Sequence, residues 1–184
     1  MDRGEQDYRL FLNGDEEALV RLIDAYKDGL MLYLNSFVSN LSVAEELTED
    51  TFLKLVLKKP RFSARSGFKT WLYAIGRNLA LDHLRRNKNA AAPLEDAAPF
   101  AADDTDLERE YIQQENMRTV HRVMRELKSE YRQVLWLIYF EGFSCAQVGR
   151  IMKKTTHNTE VLVSRARRAL KNQLIKEGFE YENF

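Results

Sequence analysis

Cysteine is almost absent from this 184-residue chain. The single one, Cys145, cannot close an internal disulfide, and no metal-ligating cluster accompanies it. Three prolines and eight glycines are too few for a turn-rich β architecture. No apolar run approaches the roughly 20 residues of a membrane span, so no membrane insertion is expected. The N-terminal MDRGEQDYRL holds no apolar signal-peptide core, and a cytoplasmic location is the expectation. No persuasive apolar–polar alternation marks a strand. Catalytic sets are missing too. His83, His121 and His157 lack ligand spacing, no glycine-rich phosphate loop is present, and no Ser/His/Asp or Cys/His grouping stands out. Catalysis, a metal and a cofactor are therefore not expected.

What the chain does have is charge in blocks. The net charge is zero, yet residues 1–60 hold 12 acids and 7 bases, and residues 61–89 hold 7 bases and one acid. Residues 90–116 hold 8 acids and one base; residues 117–184 hold 13 bases and 7 acids. Two basic blocks parted by an acidic one suggest two surfaces for a polyanion, which the overall pI conceals. Hydrophobic residues make up 45%, enough to bury a core.

The pattern predicts helices throughout. Asp15 is a candidate N-cap ahead of Leu19, Leu22, Ile23, Tyr26 and Leu30 at helical spacing, which reads as the first helix. Ser42 and Glu45 match a capping box for the next, and Pro60 stops it. A loop, RFSARSG, precedes a basic-ended helix from Phe68 to Arg86. Residues 87–108 lose periodicity and read as a linker. Helical patterning resumes near Leu107. A helix ending at Gly142 follows, then one capped by Ser144, a polar break KKTTHN, and a last helix from Thr159. The expectation is all-α: two small helical domains joined by a flexible acidic linker.

The helix from Phe68 has three sides. Phe68, Leu72, Ile75 and Leu79 form an apolar stripe fit for a core. Trp71, Asn78, Asp82 and Arg85 line up a quarter turn away, and Tyr73 and Arg77 lie on a third side. A core helix with a decorated surface fits this pattern. So does a surface that stacks on bases and bonds their edges. Residues 144–170 suggest a helix-turn-helix. Val148, Ile151, Val163, Ala166 and Leu170 face inward, Gly149 stands at a close crossing, and Arg165, Arg167 and Arg168 offer charge to phosphates. A plain helical hairpin with a basic face fits equally. On the helix from Ser42, Glu46, Asp50, Leu53 and Leu57 fall on a stripe away from Leu47, Thr51 and Leu55. That mixed stripe suggests either a protein partner with basic residues or an ordinary solvated face.

Several motifs in register carry a resemblance. AEELTEDTFLKL followed by RFSARSGFKTWLYAIGRNLALDHLRR resembles region 2 of an extracytoplasmic-function (ECF) sigma factor of bacterial RNA polymerase. LKSEYRQVLWLIYFEGFSCAQVGRIM with SRARRALK resembles region 4 of the same family. Order and spacing match over about residues 5–175. The resemblance implies region 2 over residues 5–87, an acidic linker over 88–108, and region 4 over 109–176. It implies a subunit that directs core polymerase to promoters and helps melt them. Core-polymerase contacts would fall to Glu46, Asp50, Leu53, Lys54 and Leu57. The single-stranded −10 element would meet Phe62, Ser66, Trp71, Tyr73, Arg77, Asn78, Asp82 and Arg85, with the loop from Phe62 to Phe68 holding a flipped-out base. The double-stranded −35 element would meet Ser144, Thr156, Asn158, Glu160, Ser164, Arg165 and Arg168. The implied partners are bacterial core RNA polymerase and promoter DNA, with room for an anti-sigma factor.

The sequence departs from that family at Ala74, where many members are basic. It departs again at Lys153 and Lys154, where the turn usually has glycine and an apolar residue. Thr159 stands for an apolar residue, and Glu160 and Leu162 for basic ones. Two rivals remain on the residues alone. A stand-alone helix-turn-helix regulator leaves AEELTEDTFLKL and the loop without a task. A helical protein-binding adaptor makes the basic blocks incidental.

Overall fold

The computed structural model describes residues 2–63, 66–87 and 119–178. Among these, no residue is in a strand. The named helices are α1 (Arg3–Leu12), α2 (Glu16–Val38), α3 (Leu41–Lys58), α4 (Phe68–Asn87), α5 (Ser129–Tyr139), α6 (Cys145–Met152) and α7 (Thr156–Lys176). Residues 119–126 are also helical and lead into α5. The expected linker at 88–108 lies outside the described residues, as do residues 109–118 of the expected second domain.

Helix α2 is the spine of the first half. Leu22, Leu30, Tyr33, Leu34 and Phe37 are buried along it, with α1, α3 and α4 around them. In the second half, α5, α6 and α7 close over Val134, Leu137, Val148, Ile151 and Ala166, all of which are fully or almost fully buried. The halves also touch: α5 packs on α2, and α6 packs on α4.

Local chemistry explains most boundaries. Asp15 accepts from Ala18 N at 3.2 Å and opens α2. Ser144 and Gln147 form a reciprocal capping box that opens α6. Elsewhere the structure corrects the sequence reading. Helix α1 precedes the expected first helix. Asn40, not Ser42, caps α3, its side chain accepting from Val43 N at 3.1 Å. Helix α5 stops at Tyr139, and Gly142 takes a left-handed φ of 70° two residues beyond the C-cap Phe140. The last helix begins at Thr156, because Thr155 accepts from Asn158 N at 3.1 Å.

The inner side of α4 also differs. Phe68 and Leu72 are buried as expected, but Ile75 and Leu79 are only half-buried. Tyr73, Gly76 and Ala80 fill the core instead. The helix is covered on two sides, by α2 and α3 and by the second half, so its buried arc reaches what looked like a third, exposed side.

Candidate nucleic-acid and protein interfaces

The start of α4 is built from aromatic rings. Trp71 has ring centroids 5.3 Å from Tyr8, 5.3 Å from Phe62 and 5.6 Å from Phe68. Tyr8 donates from its hydroxyl to Pro60 O at 2.8 Å, tying α1 to the loop ahead of α4. Burial pushes its phenol up to about 12, so it stays a neutral donor. One carboxylate opens two helices: Asp2 accepts from Glu5 N at 2.7 Å and from Phe68 N at 2.8 Å. Neither Asp2 nor Tyr8 was among the expected site residues. The available signal was an Asp three residues before Glu5 at the start of an otherwise unread segment.

Beyond this cluster, Asn78 and Asp82 continue the Trp71 stripe, half-exposed, and Arg85 is exposed. Asn78 has no side-chain partner among the described residues. Arg85 pairs with Asp82 on the surface. Phe62 and Ser66 are half-buried at the two ends of the loop, whose residues 64–65 lie outside the described part.

Tyr73 and Arg77 do not share that face. Tyr73 is fully buried, stacks on Tyr33 at 5.5 Å and donates its hydroxyl to Glu141 Oε2 at 2.6 Å. Burial and the neighbouring carboxylate hold its phenol far above the ordinary tyrosine range. Arg77 donates from Nε to Gln133 Oε1 at 2.9 Å. Both bond to the second half of the chain, Tyr73 from a buried position and Arg77 from a half-buried one.

On α3, Glu46, Asp50, Leu53, Lys54 and Leu57 are all exposed, while Leu47, Thr51 and Leu55 are buried behind them. Leu53 and Leu57 are 50% and 68% exposed, one turn apart on the outer side. Surface leucines are common singly, but two on one stripe between acids form a small apolar patch.

In the second half, α6 and α7 cross closely. A Cβ at Gly149 would lie 2.8 Å from Lys154 O and 3.2 Å from Thr159 Oγ1. Ser144, Thr156, Asn158, Glu160, Ser164, Arg165 and Arg168 are all exposed. Arg167 instead sits over the Tyr139 ring at 5.3 Å, so it is partly spent within the fold.

Residues 22–90 match the Sigma-70 region 2 family, and residues 117–170 match Sigma-70 region 4. The chain is 30% identical to the RNA polymerase sigma-H factor of Pseudomonas aeruginosa, over 92% of this chain and 94% of that protein. It is 26% identical to the ECF sigma factor SigW of Bacillus subtilis, over 88% and 91% of the two chains. It belongs to the ECF sigma factors of RNA polymerase. The fold is that of the sigma factor RpoE of Bartonella quintana, solved with the anti-sigma factor NepR: TM-score 0.69, 24% identity, 84% of this chain and 94% of that one.

As a member of this family the protein is a transcription initiation factor. The positions where region 4 departs from the family acquire physical reasons. Thr159 takes the usual apolar place because it is fully buried and satisfies its hydroxyl on Thr155 O at 2.9 Å. Leu162 is also buried, so the missing base there is not a lost phosphate contact. Lys153 adopts φ 57°, ψ 46°, the left-handed conformation that glycine takes without strain. Lys154 reaches back to Glu130 at 2.7 Å, joining the turn to α5.

Proposed function

We propose that this sigma factor divides its labour among three surfaces. The α3 stripe of Glu46, Asp50, Leu53, Lys54 and Leu57 binds core RNA polymerase. The outer side of α4 and the loop before it, with Phe62, Ser66, Trp71, Asn78, Asp82 and Arg85, meets the single-stranded −10 element. The start of α6 and the outer side of α7, with Ser144, Thr156, Asn158, Glu160, Ser164, Arg165 and Arg168, meets the −35 duplex. Region 2 occupies residues 5–87 and region 4 residues 109–176, with 88–108 as the linker. Work in the cytoplasm without covalent catalysis completes the reading. An anti-sigma partner belongs to it as well, since NepR binds the related RpoE.

The observation that carries the −10 assignment is the pairing of an aromatic support with an unpartnered amide. Trp71 is braced by Tyr8, Phe62 and Phe68, and Asn78 stands two turns on with no side-chain partner among the described residues. Rings stack on any base, and an amide reads one base edge. The test is transcription with core polymerase on promoter variants, scored by permanganate reactivity. Asn78→Ala should cost roughly 1–3 kcal/mol and relax specificity at one or two positions. Arg85→Ala should weaken all sequences alike, because a phosphate contact carries no base identity. Phe62→Ala should impair melting more than initial duplex binding. Identical sequence profiles for Asn78→Ala and Arg85→Ala would refute the assignment.

A further inference from the structure

Helix α7 carries one acid on the side proposed for the −35 duplex, and nothing within the fold accounts for it. Glu160 is exposed and has no side-chain partner among the described residues. It is the fifth residue of α7, past the first turn in which a helix dipole favours an acid. The residues three and four positions away are Thr156, His157, Val163 and Ser164, so no lysine or arginine stands within pairing reach along the helix. Glu160 also lines an open groove of about 500 Å³ between α6 and α7, together with Arg167, Arg168 and Lys171. A carboxylate facing a polyanion lowers affinity for every sequence unless it meets a hydrogen-bond donor.

Its position decides which donor. Thr156, Glu160, Ser164 and Arg168 follow one another at four-residue spacing and are all exposed, so they share one stripe. A recognition helix presents its N-terminal residues to base edges, while arginines hold phosphates. Arg168 lies about 12 Å further along the axis than Glu160, at roughly 1.5 Å per residue. With Arg168 on a phosphate, Glu160 stands over the base edges. The major groove offers a carboxylate two donors, the amino groups of cytosine and adenine; guanine and thymine present acceptors that repel it. Adenine sets its N7 acceptor beside the amino group, which suits an amide. Cytosine presents its amino group alone, which suits a carboxylate.

We propose that Glu160 selects a cytosine in the −35 element by accepting from its N4 amino group. The acid gives up affinity for all other sequences and gains discrimination at one base pair. This inference rests on the assignment of α7 to the −35 duplex.

The test is selection by the holoenzyme, full chain with core polymerase, from a duplex library randomised over both promoter elements. Titration of the selected duplex and its single-base variants follows. The parent protein should favour cytosine over thymine at one upstream position by about five- to tenfold. Glu160→Ala should flatten that position and leave the others within about twofold. Glu160→Gln should move the preference there to adenine, since an amide matches N6 and N7; Glu160→Lys should move it to guanine, since a cation matches O6 and N7. The side chain is exposed, so the melting temperature should hardly move in any of the three.

A uniform rise in affinity, with no single position altered, would make Glu160 only a repulsive charge and overturn the proposal. So would a Glu160→Gln profile that still prefers cytosine. Arg165→Ala and Arg168→Ala separate this inference from the assignment beneath it. If they weaken all sequences alike and make the salt slope shallower, α7 meets the duplex, and a profile unmoved by the Glu160 changes refutes the cytosine contact alone. If neither the arginine nor the Glu160 changes alter duplex binding, the −35 assignment falls and the cytosine contact falls with it.

Discussion

Replacing Leu53 and Leu57 together by serine should detach this protein from core polymerase without unfolding it. Fully burying a leucine is worth about 1.5–3 kcal/mol. With 50% of Leu53 and 68% of Leu57 still exposed, docking can bury what remains, about 2–3.5 kcal/mol for the pair. Each 1.4 kcal/mol is about tenfold, so Kd should rise by roughly 20- to 300-fold. The inner side of α3, with Leu47, Thr51, Phe52 and Leu55, is untouched, so the melting temperature should hardly move. Fluorescence anisotropy of the labelled protein titrated with core polymerase measures Kd, and circular dichroism follows folding. Asp50→Arg should add charge repulsion seen mainly in the association rate and its salt dependence. A double serine variant that binds within about twofold of the parent, while remaining folded, would refute the placement of the interface.

Three further outcomes follow from local geometry. Asp2→Ala removes two helix caps at once and should cost about 1–3 kcal/mol in a thermal melt, where an ordinary single cap costs about 1. Gly149→Ala forces a Cβ against the Lys154 carbonyl; it should cost about 1–3 kcal/mol and weaken −35 duplex binding while sparing single-strand binding. His121, half-buried beside Trp136 and Phe140, has its pKa lowered first by burial and then by Arg125. The unfolded chain therefore binds the proton more readily, and stability is lost as pH falls below the ordinary histidine value of about 6.5; His121→Gln should flatten that part of a melting-temperature profile against pH.

The helical class was legible because apolar spacing and caps such as Asp15 and Ser144 are local signals. The polar and acidic side of α3 was legible for the same reason: one turn of sequence decides which residues share a stripe. Helix α1 was not, since its ten residues carry few apolar positions and gain their place from contacts far along the chain. Tyr8 reaches Pro60, and Asp2 reaches Phe68. The burial of Tyr73 was not legible for a related reason. Helical spacing set it on a third side of α4, and the partner that satisfies its hydroxyl, Glu141, is 68 residues away. Leu162 was likewise not placed by spacing alone: it stands where a basic residue is usual, and packing of α7 buries it, while Arg167 stays exposed over the Tyr139 ring.

Region 4 is left with a lean electrostatic footprint. Arg165 and Arg168 are exposed without side-chain partners among the described residues, whereas Arg167 is drawn to Tyr139 and Glu160 adds an acid to the same outer face. Two phosphate contacts alone give a salt slope near −1.8 on duplex DNA, far short of a self-sufficient promoter binder. The −35 contact on this reading depends on tethering. With region 2 fixed to polymerase through α3 and to the −10 strand through α4, region 4 meets the duplex at a high effective concentration, and a weak contact becomes sufficient. Specificity then resides in the assembled complex and not in either half.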